Sequence, residues 1–495
     1  MENSSMLTFM QQQPRWYHYL ILCTLALIVR AATFHYFVQH EERYCQPDSN
    51  DYHYGALCIA YGYGMSYPQG RPMFWRTPGY PWYLSKFYDN KQQSSGKFSD
   101  HKSAQVHAIW LQILLCSLIP LLIFQLAWVL THTAFIAWLV ALISIIHLGF
   151  VLASTFLLTD GLAMLLFILF LTLLYHSFQF AHETDLHKKT VSISHTYLLL
   201  IAAAVVLGVY TWIRPMGQFM AILAAGMLLL SKGNWGSRSK KLFCFLLVFF
   251  VTIFPWIWRN HKLTGEWFFC PLFGLYLNAF NAPKILSRVE NIPLIDAHKK
   301  LSIAANNHIL GVMAQRQAAG DPRVVCTENE CMHTAWPLIA AHPGYFIYDW
   351  LVEAAKTTFD LYASQLVAFA GNCFKWDPLV EYLDEKIKKC LYEQPMHWSM
   401  RALAWIEFIS AMFLWIGIVG GVLVFMVNAL WKRNWSLFYS YGLLWLKTGI
   451  FIGAVAMQTG GFGYARLRLP IESLMLILGI TFWWWLFHSR YKKVL

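Results

Sequence analysis

Apolar runs of the length that crosses a bilayer recur along this chain almost from end to end. A helix traversing the hydrocarbon core needs about 20 mostly apolar residues. Runs of that kind lie at 17–38, 106–127, 133–151, 155–176, 196–213, 216–231, 242–258, 403–428, 436–457 and 469–488. They predict an all-α polytopic membrane protein with about 10 (8–12) transmembrane helices. Composition closes off the alternatives. Only 13% of the 495 residues are charged, against 57% hydrophobic. A soluble chain carries roughly 25% charged residues, so this one cannot cover a globular surface with solvated groups. The same figures exclude disorder, collagen-like repeats and coiled coils. The recurrence of the runs excludes one anchor on a soluble domain. The first run does not read as a signal peptide: it lacks a small-residue cleavage site, and His35-Tyr36-Phe37 follows it directly.

Lysine and arginine in the short connections set the expected orientation. Lys188-Lys189, Lys232 with Arg238, Lys240 and Lys241, Lys432-Arg433, and the tail with Arg490, Lys492 and Lys493 all fall on one side. With that side as the cytoplasm, both termini are cytoplasmic, as an even number of spans requires. Two long extracytoplasmic loops follow, at 39–105 and 259–402, and residues 403–495 supply the C-terminal transmembrane helices. Aromatic stretches in both loops (Tyr80–Tyr83, Tyr345–Trp350) suit interfacial helices resting on the bilayer. Of ten cysteines, Cys45, Cys58, Cys270, Cys326, Cys331, Cys373 and Cys390 map to the outer side. Cys326–Cys331 and Cys373–Cys390 are candidate disulfides in an oxidising compartment, with free thiols the alternative. A metal at Cys326, Cys331 and His333 is disfavoured because no second Cys/His pair stands nearby.

The scarce polar residues of the outer side carry the chemistry. Asp48 follows the first span by about ten residues, close to the membrane plane, with Asp51 three positions on. A carboxylate fixed there can take a proton from a hydroxyl or amine. Arg76, in the Pro- and Gly-restricted turn Arg76-Thr77-Pro78-Gly79, can hold a phosphate in a defined direction. The bland readings stay open: Asp48 as a helix cap and Arg76 snorkelling to headgroups. Asp160, at the outer end of the fourth span, is a charge beside hydrocarbon that needs either a task or local hydroxyl partners. Arg214, Arg259, Arg466 and Arg468 all fall at outer helix ends. The positive-inside rule disfavours arginines there. Each alone reads as an interfacial anchor, whereas together they suit a lipid-linked phosphate. Within the spans, Lys447 is expected to pair with Glu407 or Glu472, and Arg30 either to reach the phosphate region or to pair internally.

No P-loop, GxSxG, HExxH or paired CxxC spacing occurs, which argues against a nucleotide or nucleotide-sugar donor. The net charge of +12 reflects cytoplasmic flanks and outer arginines, so nucleic acid is not expected as a partner.

Taken in order, the motifs Asp48-Ser49-x-x-Tyr52-x-x-x-Ala56, Arg76-x-Pro78-Gly79-Tyr80-Pro81, Leu157-Leu158-Thr159-Asp160, Arg214-Pro215, Pro255-Trp256-x-x-Arg259-Asn260 and Arg466-x-Arg468-x-Pro470 resemble those of the bacterial polyprenyl-phosphate-sugar glycosyltransferases. These enzymes belong to the GT-C membrane superfamily, with the dolichyl-phosphate-mannose protein mannosyltransferases and the aminoarabinose transferases of lipid A. The resemblance covers about residues 20–280 and the last span, making 1–280 the GT-C-like catalytic module; residues 281–400 match no pattern.

The resemblance implies an inverting transfer of a sugar from a polyprenyl-phosphate donor to an acceptor in the cell envelope (lipid, glycan or protein). It places the chemistry on the outer face of the bacterial inner membrane. It makes Asp48 the base with Asp51 the fallback, and gives Asp160 the acceptor or a bound cation to orient. Arg76 and Arg259 would hold the departing phosphate, with Arg214, Arg466 and Arg468 as further candidates. Tyr52 and Tyr80 would contact substrate. Some relatives carry a metal-linked acid just before the basic-Pro element; Trp75 stands there here, so a divalent cation is not implied with certainty. Two rival readings remain: a transporter or flippase of an envelope lipid, and a membrane scaffold.

Overall fold

The protein is an all-helical polytopic membrane protein, described here from a computed structural model covering residues 16–40, 44–46, 48–67, 69–88, 101–187, 191–231, 234–359, 361–362, 398–431 and 465–491. The first apolar run forms α1 (Trp16–Phe37). The first outer loop contributes two short helices, α2 (Ser49–Ala60) and α3 (Gly79–Ser85). The apolar series continues with α4 (Lys102–Cys116), α5 (Ile119–Thr131), α6 (Ala134–Ile146), α7 (Leu148–Thr155), α8 (Asp160–His187), α9 (Val191–Ile213), α10 (Gly217–Leu229) and α11 (Trp235–Thr264). Among the described residues seven helices are long and apolar enough to cross a bilayer, or eight counting α6 and α7 as one broken span. Helix α10 is apolar but shorter, and the expected span at 436–457 lies outside the described residues, as do Lys447, Cys373 and Cys390.

Large apolar side chains that point outward mark the lipid-facing surface. Leu25 and Ile28 on α1, Phe250 and Val251 on α11, and Ile409, Ile416 and Leu423 on α17 (Trp398–Trp431) are all exposed. A water-soluble bundle would place such stripes in its core. The interior is aromatic and aliphatic, with α8 packed on α9, α9 on α11, and α17 on α18 (Ala465–Tyr491). Small residues permit that last contact: a Cβ at Gly417 would lie 2.7 Å from the Gly479 carbonyl oxygen. Close backbone approach through glycine is the usual way helices pair where lipid supplies no hydrophobic drive.

The second outer loop, silent in sequence, folds into a helical lobe. Helices α12 (Leu272–Tyr276), α13 (Ala282–Glu290), α14 (Leu294–Ala318), α15 (Thr327–Ala341) and α16 (Pro343–Phe359) follow one another, α12 and α13 joined by a π-helical turn at Leu277–Asn281. Leu277, Ile285, Leu286, Leu301 and Ile339 give the lobe its own small core. Helix α16 is turned inside out: Asp349, Glu353 and Thr357 are buried, while Tyr345, Ile347, Tyr348 and Leu351 are exposed. Its inward acids pair with Arg288 (2.5 Å) and Lys284 (2.8 Å) of α13. Cys326 and Cys331 are both free thiols, so the candidate disulfide between them is not formed.

Candidate active site

Two local ties bring the first outer loop onto the helix ends. At the first, Ser49 Oγ accepts from the Gln46 amide (2.9 Å) and donates to the Leu157 carbonyl (2.8 Å), while the Leu157 amide donates to Tyr44 O (2.9 Å). Tyr44, Gln46 and Ser49 are thereby pinned to the bend that precedes Asp160. At the second, Thr77 Oγ1 donates to the Ile213 carbonyl (2.8 Å). Gly79 lies so near the end of α9 that a Cβ there would stand 2.6 Å from Trp212 O. Only glycine fits that contact, which holds the turn carrying Arg76 against the end of α9.

The result is an unbroken chain of alternating charges. Asp51 accepts from Arg76 Nε (3.2 Å) and Nη2 (2.8 Å), and Asp48 Oδ1 accepts from the same Nη2 (2.8 Å). Asp48 Oδ2 accepts from Arg466 Nη2 (2.9 Å), and Arg466 Nε reaches Asp160 Oδ2 (3.1 Å). Asp160 Oδ1 also accepts from Arg214 Nη2, while Arg214 Nε donates to Thr159 Oγ1 (3.2 Å). The open cap reading of Asp48 is settled: it precedes α2 but makes no side-chain cap hydrogen bond. The chain also grades from inside to outside. The Asp160 side chain is 1% exposed, whereas Asp48 and Arg466 are 31% and 27% exposed, so the mouth opens at the Asp48–Arg466 pair.

Electrostatics separates the two loop aspartates. Burial pushes the Asp48 carboxyl up, but the Arg76 and Arg466 charges together overcome it and hold it well below the ordinary carboxylate range. At Asp51 burial outweighs the single partner Arg76, and the carboxyl sits above its ordinary value.

Aromatic rings wall the cluster. The Arg76 guanidinium lies over the rings of Trp75 (4.3 Å) and Tyr52 (5.1 Å). Tyr52 meets Tyr80 edge to face (5.3 Å). Tyr80 is fully buried and donates to Gln112 Oε1 (3.1 Å), placing it behind the wall. Gln112 Nε2 in turn donates to the Ser154 (3.1 Å) and Phe156 (2.8 Å) carbonyls, bracing the bend before Asp160. Ser49, Thr77 and Gln112 were not foreseen. Gln112 did carry a signal, a glutamine inside an apolar run.

Arg259 and Arg468 stand apart from this chain of charges. Arg259 donates to the Met65 (2.8 Å) and Met73 (3.4 Å) carbonyls and stacks on Trp256 (4.5 Å) and Phe74 (5.2 Å). It braces the turn that leads into Arg76. Arg468 pairs with Glu472 (2.5 Å), donates to Thr357 O (3.1 Å) and lies over Tyr362 (5.4 Å). Tyr362 itself donates to Glu472 from its hydroxyl (3.1 Å) and to Glu407 from its amide (2.6 Å). Arg468 is thus a direct ion-pair partner of Glu472. Arg30 is wholly buried on α1 and donates to the Ala26 carbonyl (3.2 Å).

Among the described residues no group of three or more His, Cys, Asp or Glu side chains is arranged to hold a metal, the carboxylates of the cluster face guanidinium groups, and Trp75 stacks on Arg76.

Fold and site together define a polytopic helical membrane protein in which one set of helix ends and the loop packed on it carry a chain of alternating aspartates and arginines. No family model and no curated protein matches the sequence. Among solved structures, the chain is similar to the crystal structure of ArnT from Cupriavidus metallidurans bound to undecaprenyl phosphate, at 14% identity over 93% of this chain and 77% of that one, with a TM-score of 0.38. An overlap that loose establishes neither a shared family nor a shared activity.

Proposed function

We propose that the protein is a membrane glycosyltransferase of the GT-C type. It would take a sugar from a polyprenyl-phosphate donor and pass it, with inversion, to a cell-envelope acceptor. The single observation that carries this reading is the run Asp51–Arg76–Asp48–Arg466–Asp160–Arg214 at the mouth of an apolar bundle. It sets carboxylates able to take a proton beside guanidinium groups able to hold a phosphate. In the reaction an aspartate, Asp48 or its neighbour Asp51, takes the acceptor proton. The acceptor oxygen attacks the anomeric carbon from the face opposite the leaving group. The bond from that carbon to the phosphate oxygen breaks, and its electron pair leaves with the phosphate. Arg76 and Arg466, with Arg214 behind them, stabilise that growing charge. Asp160, buried at the inner end of the run, keeps Arg214 and Arg466 aimed. The orientation rule supports an extracytoplasmic mouth, with both termini cytoplasmic and the bacterial inner membrane as the location.

The test is sugar transfer in proteoliposomes from a polyprenyl-phosphate-linked donor. Loss of turnover in Asp48→Asn or Asp51→Asn is expected, and full activity in both would sink the assignment of the base. The buried Arg468–Glu472 pair favours a second reading, as a lipid transporter. That reading requires loss of function at Glu472 with Asp48 dispensable.

A further inference from the structure

The arginines nominated to receive phosphate are already committed. The cluster holds three carboxylates and three guanidinium groups, and each arginine is bonded to at least one of those carboxylates. A phosphate arriving at the mouth therefore meets a neutral site and must displace something. The geometry says what. Arg76 and Arg466 each use Nε on an inner acid, Asp51 and Asp160 respectively. Each turns Nη2 toward the same outer residue, Asp48, at 2.8 and 2.9 Å, Nη2 of Arg76 being shared with Asp51 Oδ2 at 2.8 Å. Asp48 alone of the three acids bonds both of these arginines across their outer ends. It is also the most exposed carboxylate, at 31% against 23% for Asp51 and 1% for Asp160. The two oxygens of Asp48, one on each guanidinium, are spaced as two oxygens of a phosphate would be.

We propose that Asp48 is a stand-in for the donor phosphate: entry of a polyprenyl-phosphate headgroup exchanges the Asp48 carboxylate off Nη2 of Arg76 and Arg466. Asp160 stays on Nε of Arg466, and Asp51 on the Nε–Nη2 edge of Arg76, as backrests. The exchange makes the site order its own substrates. While both arginines hold Asp48, its carboxylate is a poor proton acceptor; once phosphate takes them, the carboxylate is released toward the acceptor. The donor thus enters first and switches on the base. This rests on the polyprenyl-phosphate reading above, and the experiment separates the two.

The purified full-length chain in detergent is titrated with a short-chain prenyl methyl phosphodiester, which carries one fixed charge. The wild type is expected to bind it, and Asp48→Asn, lacking the competing charge, to bind about tenfold tighter while losing transfer activity. Arg466→Gln is expected to bind at least tenfold more weakly. Equal or weaker binding by a folded Asp48→Asn protein, beside a wild type that binds, overturns the exchange and leaves the phosphate site standing. Absence of binding in wild type and Asp48→Asn alike overturns both. A measurement on the wild type alone covers the case of a variant that does not fold. Released from two guanidinium charges, Asp48 regains proton affinity, so binding at about pH 4, near the ordinary carboxylate value, is expected to take up protons, read from titrations in buffers of different ionisation enthalpy. Binding with no proton uptake at that pH overturns the exchange.

Discussion

Arg466 and Asp48 meet at 2.9 Å although 418 positions separate them in the chain. The contact joins the first outer loop to the start of the last helix, so the site closes only when both ends of the molecule are in place. Arg466 also holds Asp160, which makes it the keystone of the charge chain. Replacing it with glutamine is expected to lower kcat for sugar transfer by about 10²- to 10³-fold, the scale for losing one preorganised charge partner in a transition state. Lysine is expected to restore little, because one ammonium cannot span two carboxylates as the planar fork does. Steady-state kinetics on the two variants checks both expectations.

The aspartates of the first loop separate by pH. Asp48 is held below the ordinary value of about 3.9 that it takes in the unfolded chain. Its contribution to stability is therefore present above about pH 4 and is lost as pH falls toward its folded value. Asp51 is shifted the other way: it opposes folding at neutral pH, and that opposition fades as pH falls through its raised value toward the ordinary one. Thermal unfolding in detergent between about pH 3 and pH 6 is expected to show Asp48→Asn with a flatter acid decline than wild type and Asp51→Asn with a steeper one. An acid decline that Asp48→Asn leaves unchanged would place the sensitivity elsewhere.

Glycine at position 79 is a packing requirement with a functional consequence. Its Cβ would lie 2.6 Å from Trp212 O, a backbone atom that cannot swing away. Gly79→Ala is expected to cost about 1–3 kcal/mol of stability by overpacking and to pull Arg76 off its aspartates. Chemical denaturation measures the first effect. The second should appear as a fall in kcat larger than the change in the folded fraction explains.

How much of this was legible in the sequence depended on what each residue's neighbours gave away. Asp48, Asp51, Arg76, Asp160, Arg214 and Arg466 stand out because apolar or Pro/Gly-restricted surroundings strand them. All six meet in one cluster. Arg468 looked equivalent to Arg466 in the motif, yet residues two apart on a helix point about 200° from one another. One faces the cluster and the other faces Glu472. Arg259 carries no local mark distinguishing a phosphate ligand from a brace for the 65–73 turn, since its partners are carbonyls far away in the chain. The bend of 50° between α6 and α7 was hidden inside the continuous apolar run 133–151, where His147, extended in backbone, is the one ionisable side chain. The outer lobe stayed illegible because α16 reverses the usual pattern, with acids inward and apolar residues outward.

Gln112 offers a test of the frame behind the site. Its amide joins the Tyr80 hydroxyl to the Ser154 and Phe156 carbonyls, all buried. Gln112→Leu keeps the volume but strands those groups, at a cost of about 1–3 kcal/mol for each one left unpaired. Lower thermal stability with nearly unchanged KM for the donor is expected, because the residue holds the bend and does not touch the mouth. A rise in KM without loss of stability would contradict that role.

Arg468 and Glu472 form a buried pair, their side chains 5% and 3% exposed, with Tyr362 and Thr357 as further partners. Removing one member takes the direct ion-pair partner from the other in a low-dielectric bundle. Glu472→Gln alone is therefore expected to destabilise by about 3–5 kcal/mol, whereas the double change Arg468→Met with Glu472→Leu should cost far less. If the pair is a strut, the double variant recovers both thermal stability and sugar transfer, since the last helix again packs and Arg466 is again aimed. If the pair instead moves a proton or an ion, the double variant folds but does not regain function. Measuring melting temperature and transfer on the same three proteins separates a structural ion pair from a transport site, and with it the glycosyltransferase reading from its rival.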